Sequence, residues 1–102
     1  MIDLRVSIAS PSETWYIPVT HLFMTGFSTS PGTVTVRNGF SASEAIQPAT
    51  WSAAVWEVGS ERYRAIVTYT GGSLALGTYV LWLELTHGSE LVRAPAGTVE
   101  VY

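Results

Sequence analysis

Residues 74–83, LALGTYVLWL, have the pattern of a β-strand that begins after a glycine turn. Side chains of a strand point alternately to its two faces, so Tyr79 shares a face with the leucines that follow it at every second position. Trp82 and Glu84 take the opposite face, which we expect to be the outer surface of the sheet. The stretch therefore predicts a long strand with one buried face.

The rest of the chain has the same period of two, and no segment has the spacing of an amphipathic helix. Clusters of Gly, Pro, Asn and Ser separate the alternating runs and indicate turns. Short strands without helical connections are typical of an antiparallel two-sheet sandwich, with a small barrel as the alternative. The sequence predicts an all-β sandwich of about seven strands in a single domain over residues 1–102. The predicted strands lie near residues 2–8, 14–21, 32–39, 50–58, 62–69, 78–88 and 90–102.

Local signals add detail to these strands. Pro18 has no amide hydrogen, so it should lie at a sheet edge or a bulge. Asn38 and Gly39 form a dipeptide typical of a tight turn, which would end the third strand. Residues 40–49 are expected to form a loop with a short edge strand, and residues 50–69 a hairpin.

Gly77 and Tyr79 have the spacing of a tyrosine corner, in which the phenol hydroxyl hydrogen-bonds to the backbone a few residues upstream. A tyrosine at the edge of the core, without that hydrogen bond, is the alternative. Tyrosine corners occur in immunoglobulin-like sandwiches at the start of the penultimate strand, which is where Tyr79 lies. The sequence thus predicts an immunoglobulin-like sandwich in which both residues have structural roles.

The charge content is low and acidic. Asp, Glu, Lys and Arg make up 13% of the chain, about half the share in an ordinary soluble domain. Lysine is absent and the net charge is −3, so no basic face could neutralise a nucleic-acid backbone. Hydrophobic residues reach 47%, which predicts that apolar surface is buried against other proteins. The alternative is a β-protein that is simply rich in Val, Thr and Ala.

No pattern in the sequence is typical of catalysis or of a metal site. The chain has no cysteine, which excludes disulfides and thiolate ligands. His21 and His87 have no carboxylate or second histidine at ligand spacing. The carboxylates are scattered, and neither a nucleophile elbow nor a phosphate loop occurs. We therefore expect no enzymatic activity and no cofactor, and the N-terminal residues have the pattern of neither a signal peptide nor a membrane span.

The four tryptophans exceed the roughly one or two that a core of this size can use. Trp15 shares a face with Ile17 and Val19 and is expected in the core. Trp51 and Trp56 are an odd number of residues apart, so in one regular strand they would point to opposite faces. We expect Trp51 in the core and Trp56 on the outer surface.

The aromatic residues assigned to outer faces are the candidates for partner binding, because Trp and Tyr are frequent interface anchors. The alternative is that they only cover flanking loops. Exposed aromatic rings beside polar groups could also form a sugar platform, which makes a carbohydrate-binding module the alternative function. The candidate interface residues are Trp56, Trp82, Tyr16 and Tyr102.

Five segments together resemble a known family. They are TVTVR at 33–37, PATWSAAVWE at 48–57, YRAIV at 63–67, LALGTYVLWLEL at 74–85 and ELVRAPAGTVEV at 90–101. This pattern is similar to that of the small immunoglobulin-like proteins encoded among the virion structural genes of tailed bacteriophages, particularly those of actinobacteria. The resemblance covers about three-quarters of the chain and consists of hydrophobic and aromatic spacing.

The resemblance implies a structural role in a phage particle. The protein would be a minor capsid or decoration protein on the head, or a component near the head–tail connection or tail. It would bind the major capsid protein or another virion protein as a homo-oligomer, with a trimer favoured, and would be soluble in the host cytoplasm before assembly. No nucleic-acid or membrane partner is expected. An accessory domain of a secreted or cell-surface protein is a further alternative.

Overall fold

The structure, a computed structural model, describes residues 2–19, 34–57, 64–87 and 89–102. These residues form eight strands, and none of them is helical. The strands are β1 (Ile2–Val6), β2 (Ser12–Pro18), β3 (Thr35–Ser41), β4 (Ser52–Ala53), β5 (Val55–Trp56), β6 (Arg64–Thr70), β7 (Gly77–His87) and β8 (Glu90–Val101).

The strands form two sheets that pack face to face, which confirms the predicted all-β sandwich. The first sheet has five strands in the order β1-β8-β7-β3-β4, and the second has three in the order β2-β6-β5. One pair departs from the antiparallel prediction, because β1 runs parallel to β8. Nearly the whole chain separates these two strands, so no tight turn constrains their relative direction. The finer immunoglobulin-like topology stays a prediction.

The core lies between the inner faces of the two sheets. Trp15 of β2 is 6% exposed and stacks on Tyr69 of β6, with ring centroids 5.2 Å apart. The Phe40 ring of β3 lies edge-on to both, with centroid distances of 6.2 Å to Trp15 and 6.4 Å to Tyr69. This aromatic cluster joins the two sheets, and aliphatic side chains fill the rest of the core. The predicted burial of Trp15, Ile17 and Val19 is confirmed.

The chain changes sheets at Ala54. Ser52 and Ala53 pair with β3 in the first sheet, whereas Val55 and Trp56 pair with β6 in the second. The Ala54 amide still donates to the Val36 carbonyl at 3.0 Å, so the crossing takes a single residue. Residues 50–58 are therefore not the single strand that the alternation predicted.

Asn38 and Gly39 lie in the middle of β3, so the predicted turn is wrong. A Cβ atom on Gly39 would lie 2.7 Å from the Cβ of Pro48 and 2.8 Å from the Thr50 carbonyl oxygen. Glycine is needed here because the loop between β3 and β4 crosses closely over the strand. The dipeptide thus marks a close approach of two chain segments.

Near the N-terminus, the predicted position of Pro18 is confirmed, whereas the first strand is shorter than predicted. Pro18 is the last residue of β2, an edge strand, as predicted. The alternation predicts a first strand to residue 8, but β1 ends at Val6 and Ile8 is 42% exposed. The chain must turn after Val6 to reach the second sheet, which takes Ile8 out of register. His21 and the segment at 23–32, between the second and third predicted strands, lie outside the described residues.

Candidate functional site

The turn before β7 has the geometry of a tyrosine corner. The Tyr79 hydroxyl donates to the Ala75 carbonyl oxygen at 2.9 Å, across the turn that contains Gly77. Gly77 has φ 147°, a backbone conformation that residues with a Cβ rarely adopt. The hydrogen bond required by the sequence prediction is therefore present, and both residues have structural roles.

Tyr79→Phe is expected to lower the free energy of unfolding by about 0.5 to 1 kcal/mol without changing the fold. The effect is small because the hydroxyl lies near solvent, where water can replace part of the lost hydrogen bond. Chemical denaturation of the two proteins measures it. A difference within experimental error would mean that the hydroxyl contributes nothing to the turn.

Trp82 lies on the outer face of the first sheet but is only 6% exposed, so its predicted role as an exposed partner contact is wrong. Its indole nitrogen donates to the Ser41 hydroxyl at 2.8 Å. The protein's own chain covers this face, since the loop between β3 and β4 passes over it at Gly39. Burial also makes the Trp82 ring unavailable to a sugar platform on this face.

A buried ion cluster lies beside Trp82 under the same loop. The Glu84 side chain is 1% exposed and accepts from Arg37 Nε at 2.6 Å and from Arg93 Nε at 2.7 Å, one arginine on each carboxylate oxygen. Arg93 also donates to the Gln47 side-chain oxygen at 3.0 Å. Arg93 thus links the cluster on the sheet to the loop.

The electrostatics of this cluster follow from burial and from the two arginines. Burial alone would raise the pKa of the Glu84 carboxyl, because the charged form is poorly solvated. Hydrogen bonds from Arg93 and Arg37, together with their positive charges, outweigh burial and hold the pKa below its ordinary value. Glu84 is therefore an ionised structural residue, not an acid poised for proton transfer.

The predicted roles of Trp51 and Trp56 are reversed. Trp56 packs against the core, and its indole nitrogen donates to the Val34 carbonyl oxygen at 2.7 Å. Trp51 lies outside the core on the covered face of the first sheet, where the Arg93 guanidinium carbon is 4.9 Å from its ring centroid. The two indoles do take opposite sides, but the change of sheet at Ala54 decides which one faces inward.

A partly exposed apolar row crosses the outer face of the second sheet. Tyr16 of β2 pairs with Ile66 of β6, and Ile66 pairs with Val55 of β5. Tyr16 is 47% exposed and Val55 is 59% exposed. We call these three side chains the apolar row. Of the predicted interface residues, Tyr16 belongs to it.

The apolar row is bordered by a fixed ion pair. Arg64 donates to the two carboxylate oxygens of Glu57 from Nε at 2.5 Å and from Nη2 at 2.6 Å. Its guanidinium carbon also lies 5.2 Å from the centroid of the Tyr16 ring. This contact orders the exposed Tyr16 ring. The ring would therefore lose less conformational entropy when a partner binds.

Tyr102, the remaining predicted interface residue, is 54% exposed but lies at the end of β8 in the first sheet. The Arg5 guanidinium carbon lies 4.6 Å from the centroid of the Tyr102 ring, and Arg5 Nη2 lies 3.6 Å from Glu100 Oε1. The two exposed tyrosines therefore lie on different sheets and do not form one surface.

The sequence analysis did not predict Val55 and Ile66 as members of the apolar row. Ile66 is a lone aliphatic residue on the polar face of its strand, and that pattern could have identified it.

The described residues contain no group of three or more His, Asp or Glu side chains that could hold a metal ion. Within the same ranges, no helix is long and apolar enough to cross a membrane. The chain matches no protein-family model, no curated protein and no solved structure. The resemblance to phage proteins therefore stays a prediction from the sequence pattern.

Proposed function

We propose that this protein is a non-enzymatic structural protein that docks on a larger protein assembly through the outer face of its second sheet. The observation that carries the proposal is the apolar row of Tyr16, Ile66 and Val55, which no described residue covers, whereas the loop between β3 and β4 covers the first sheet at Gly39 and Trp82. An apolar stripe across three strands, bordered by a charged pair, has the composition of an interface centre with a polar rim.

The low charge of the chain supports the same proposal. Obligate interfaces are more apolar than ordinary surface, and charged residues make up only 13% of this chain. In the described ranges most arginines are already engaged within the chain, with Glu84, Glu57 or Glu100. Binding through the apolar row would therefore require little desolvation of free charge.

The finer proposal follows from the resemblance of the five sequence segments to phage virion proteins. The assembly would be a tailed-phage particle, and the protein would be a minor capsid or decoration protein bound to the major capsid protein as a homo-oligomer, with a trimer favoured. A component near the head–tail connection or tail is the alternative location. A cryo-EM map of the parent particle distinguishes the two.

Tyr16→Ser combined with Val55→Ser is expected to weaken assembly by about 2 kcal/mol or more, the scale of an interface hot spot. Both side chains are exposed, so the thermal stability of the isolated subunit should change little. Sedimentation velocity over a wide concentration range measures self-assembly, and co-sedimentation with purified phage heads measures docking.

Ile46→Ser is the matched control, because Ile46 is 57% exposed but lies on the loop over the first sheet. This variant should assemble like the wild type. Equal loss of assembly in both variants would place the interface elsewhere. A wild-type protein that stays monomeric at every concentration and binds no phage head would contradict the proposal altogether.

A further inference from the structure

β1 forms one edge of the five-stranded sheet. It pairs with β8 on one side, and no described strand pairs with its other side. The Tyr102 amide donates to the Val6 carbonyl at 3.0 Å, and the Ile8 amide donates to the Tyr102 carbonyl at 2.6 Å. Backbone groups alternate along a strand, so the even-numbered residues of β1 bond to β8. The peptide groups of Asp3 and Arg5 therefore point to the open edge.

The other open edges of the two sheets carry features that oppose pairing with a further strand. β2 ends at Pro18, which has no amide hydrogen, and its Glu13 carboxylate lies on the inner side, where it accepts from the Trp15 indole nitrogen at 3.1 Å. The part of β8 beyond β1 contains Pro95, and β4 and β5 have only two residues each. Prolines, inward-facing charges and very short strands all hinder edge-to-edge association. β1 has five residues and none of these features.

The side chains of β1 fit a second copy of the same strand. Ile2, Leu4 and Val6 pack against the core, whereas Asp3 and Arg5 are exposed on the outer face. In an antiparallel pair of β1 strands, residues whose peptide groups face the partner lie opposite each other. The possible registers place Asp3 opposite Arg5, Asp3 opposite Asp3, or Arg5 opposite Arg5. Only the first puts opposite charges together, and like charges directly opposite destabilise a sheet.

That register has a two-fold axis at Leu4. The two Leu4 side chains would meet on the inner side, where each is only partly buried by its own core. Arg5 can reach Asp3 of the second copy, because its Nη2 lies 3.6 Å from Glu100 and its side chain is 65% exposed. The Thr98 hydroxyl donates to Asp3 Oδ1 at 2.6 Å, and Oδ2 of the same carboxylate can accept from that arginine.

We propose that two copies of this chain join through their β1 edges, antiparallel and with Asp3 of each copy opposite Arg5 of the other. The first sheets of the two copies then form one continuous sheet related by a two-fold axis. This contact goes beyond the proposed function, because it lies on the first sheet and leaves the apolar row accessible. The trimer that the resemblance favours would need a different contact, and the β1 edge would then link neighbouring trimers.

Leu4→Cys tests the register directly, because the chain has no other cysteine. Residues opposite each other at this kind of position have Cα atoms about 4.5 Å apart, which a disulfide can span. Ile2→Cys is the matched control on the same face of β1. In the proposed register its two copies are about 13 Å apart, too far for a disulfide.

The cross-linking is measured on the full-length variants under mild oxidation, by non-reducing gel electrophoresis over time. We expect Leu4→Cys to form disulfide-linked dimers at least about tenfold faster than Ile2→Cys. A covalent trap suits this contact, because pairing of two five-residue strands buries little surface and is weak in dilute solution.

Asp3→Arg and Arg5→Asp test the charge complementarity. Both are made in the Tyr16→Ser and Val55→Ser background, so that the apolar row does not contribute to self-association. Each variant alone puts like charges opposite each other, and sedimentation velocity should show self-association at least about tenfold weaker than that of the parent. An equimolar mixture puts an arginine opposite an aspartate at every position and should form heterodimers as readily as the parent forms dimers. Both variants remain acidic overall, so net charge does not favour the mixture.

Three results would overturn the proposal. They are equal rates of cross-linking in Leu4→Cys and Ile2→Cys, self-association of the single charge variants equal to that of the parent, and the absence of heterodimers in the mixture. Leu4→Cys should cross-link equally well with the Tyr16→Ser and Val55→Ser changes added, whereas those changes should reduce co-sedimentation with phage heads. Failure of the β1 contact is therefore distinguishable from failure of the assembly surface.

Discussion

Trp56→Ala is expected to lower the free energy of unfolding by about 3 kcal/mol, and Trp51→Ala by about 1 kcal/mol or less. Removing the Trp56 indole leaves a gap against the core and an unpaired Val34 carbonyl oxygen. Because Trp56 is only partly buried, the expected loss lies at the low end for a buried tryptophan. Trp51 is also partly buried but does not pack against the core, and it contributes mainly its contact with the Arg93 guanidinium.

Urea denaturation of both variants measures the two losses. Trp56→Phe is the control, since it keeps much of the ring volume and loses only the indole donor, and we expect it to cost about 1 to 2 kcal/mol. Equal losses in the two alanine variants would mean that both indoles support the core. A larger loss in Trp51→Ala would restore the assignment expected from a continuous strand.

The alternation of side chains predicted burial correctly wherever a strand stays within one sheet. Val6, Ile17 and Val67 all lie on the inner faces that the sequence indicates. The change of sheet at Ala54 could not be read in the same way, because no Gly, Pro or Asn marks it. What defines it is pairing with β3 on one side and with β6 on the other, both distant in sequence.

For the outer face of the first sheet, the sequence predicted which side chains lie there but not that another part of the chain covers them. The alternation placed Trp82 and Glu84 correctly on that face, but whether a face is covered depends on a loop from elsewhere in the chain. Gly39 was the available signal, since a glycine inside a strand often marks close approach of another segment. The Asn-Gly pair predicts a turn instead, because it is so frequent in hairpins.

The candidate surfaces were predictable to different degrees. Tyr16 follows from alternation within β2, and Ile66 could have been found as the one aliphatic residue on a face with Arg64 and Thr68. Val55 could not, because it joins β6 only after the chain changes sheets at Ala54. No local pattern in the sequence describes that arrangement.

Glu84→Gln is expected to lower the free energy of unfolding at neutral pH by about 3 kcal/mol. Removing one member of a buried ion cluster leaves the others uncompensated, and here two arginines would face each other across a neutral amide. The arginine side chains are 45% and 31% exposed, so water offsets part of the cost and the low end of the usual range applies. Glu100→Gln is the control, because its pair with Arg5 is exposed and should contribute less than about 1 kcal/mol.

The pH dependence of stability provides an independent measure of the same cluster. The folded protein holds the pKa of Glu84 below its ordinary value of 4.5, so the unfolded chain binds a proton at this position first as the pH falls. The stabilisation is therefore complete above the unfolded pKa and is lost as the pH drops through the folded one. Denaturation midpoints of the wild type and Glu84→Gln should converge as the pH falls from about 5 through the folded pKa of Glu84. If the difference between them stays constant as the pH falls, the charge of Glu84 does not stabilise the fold, and the loop between β3 and β4 is held by the packing of Trp51, Pro48 and Trp82 alone.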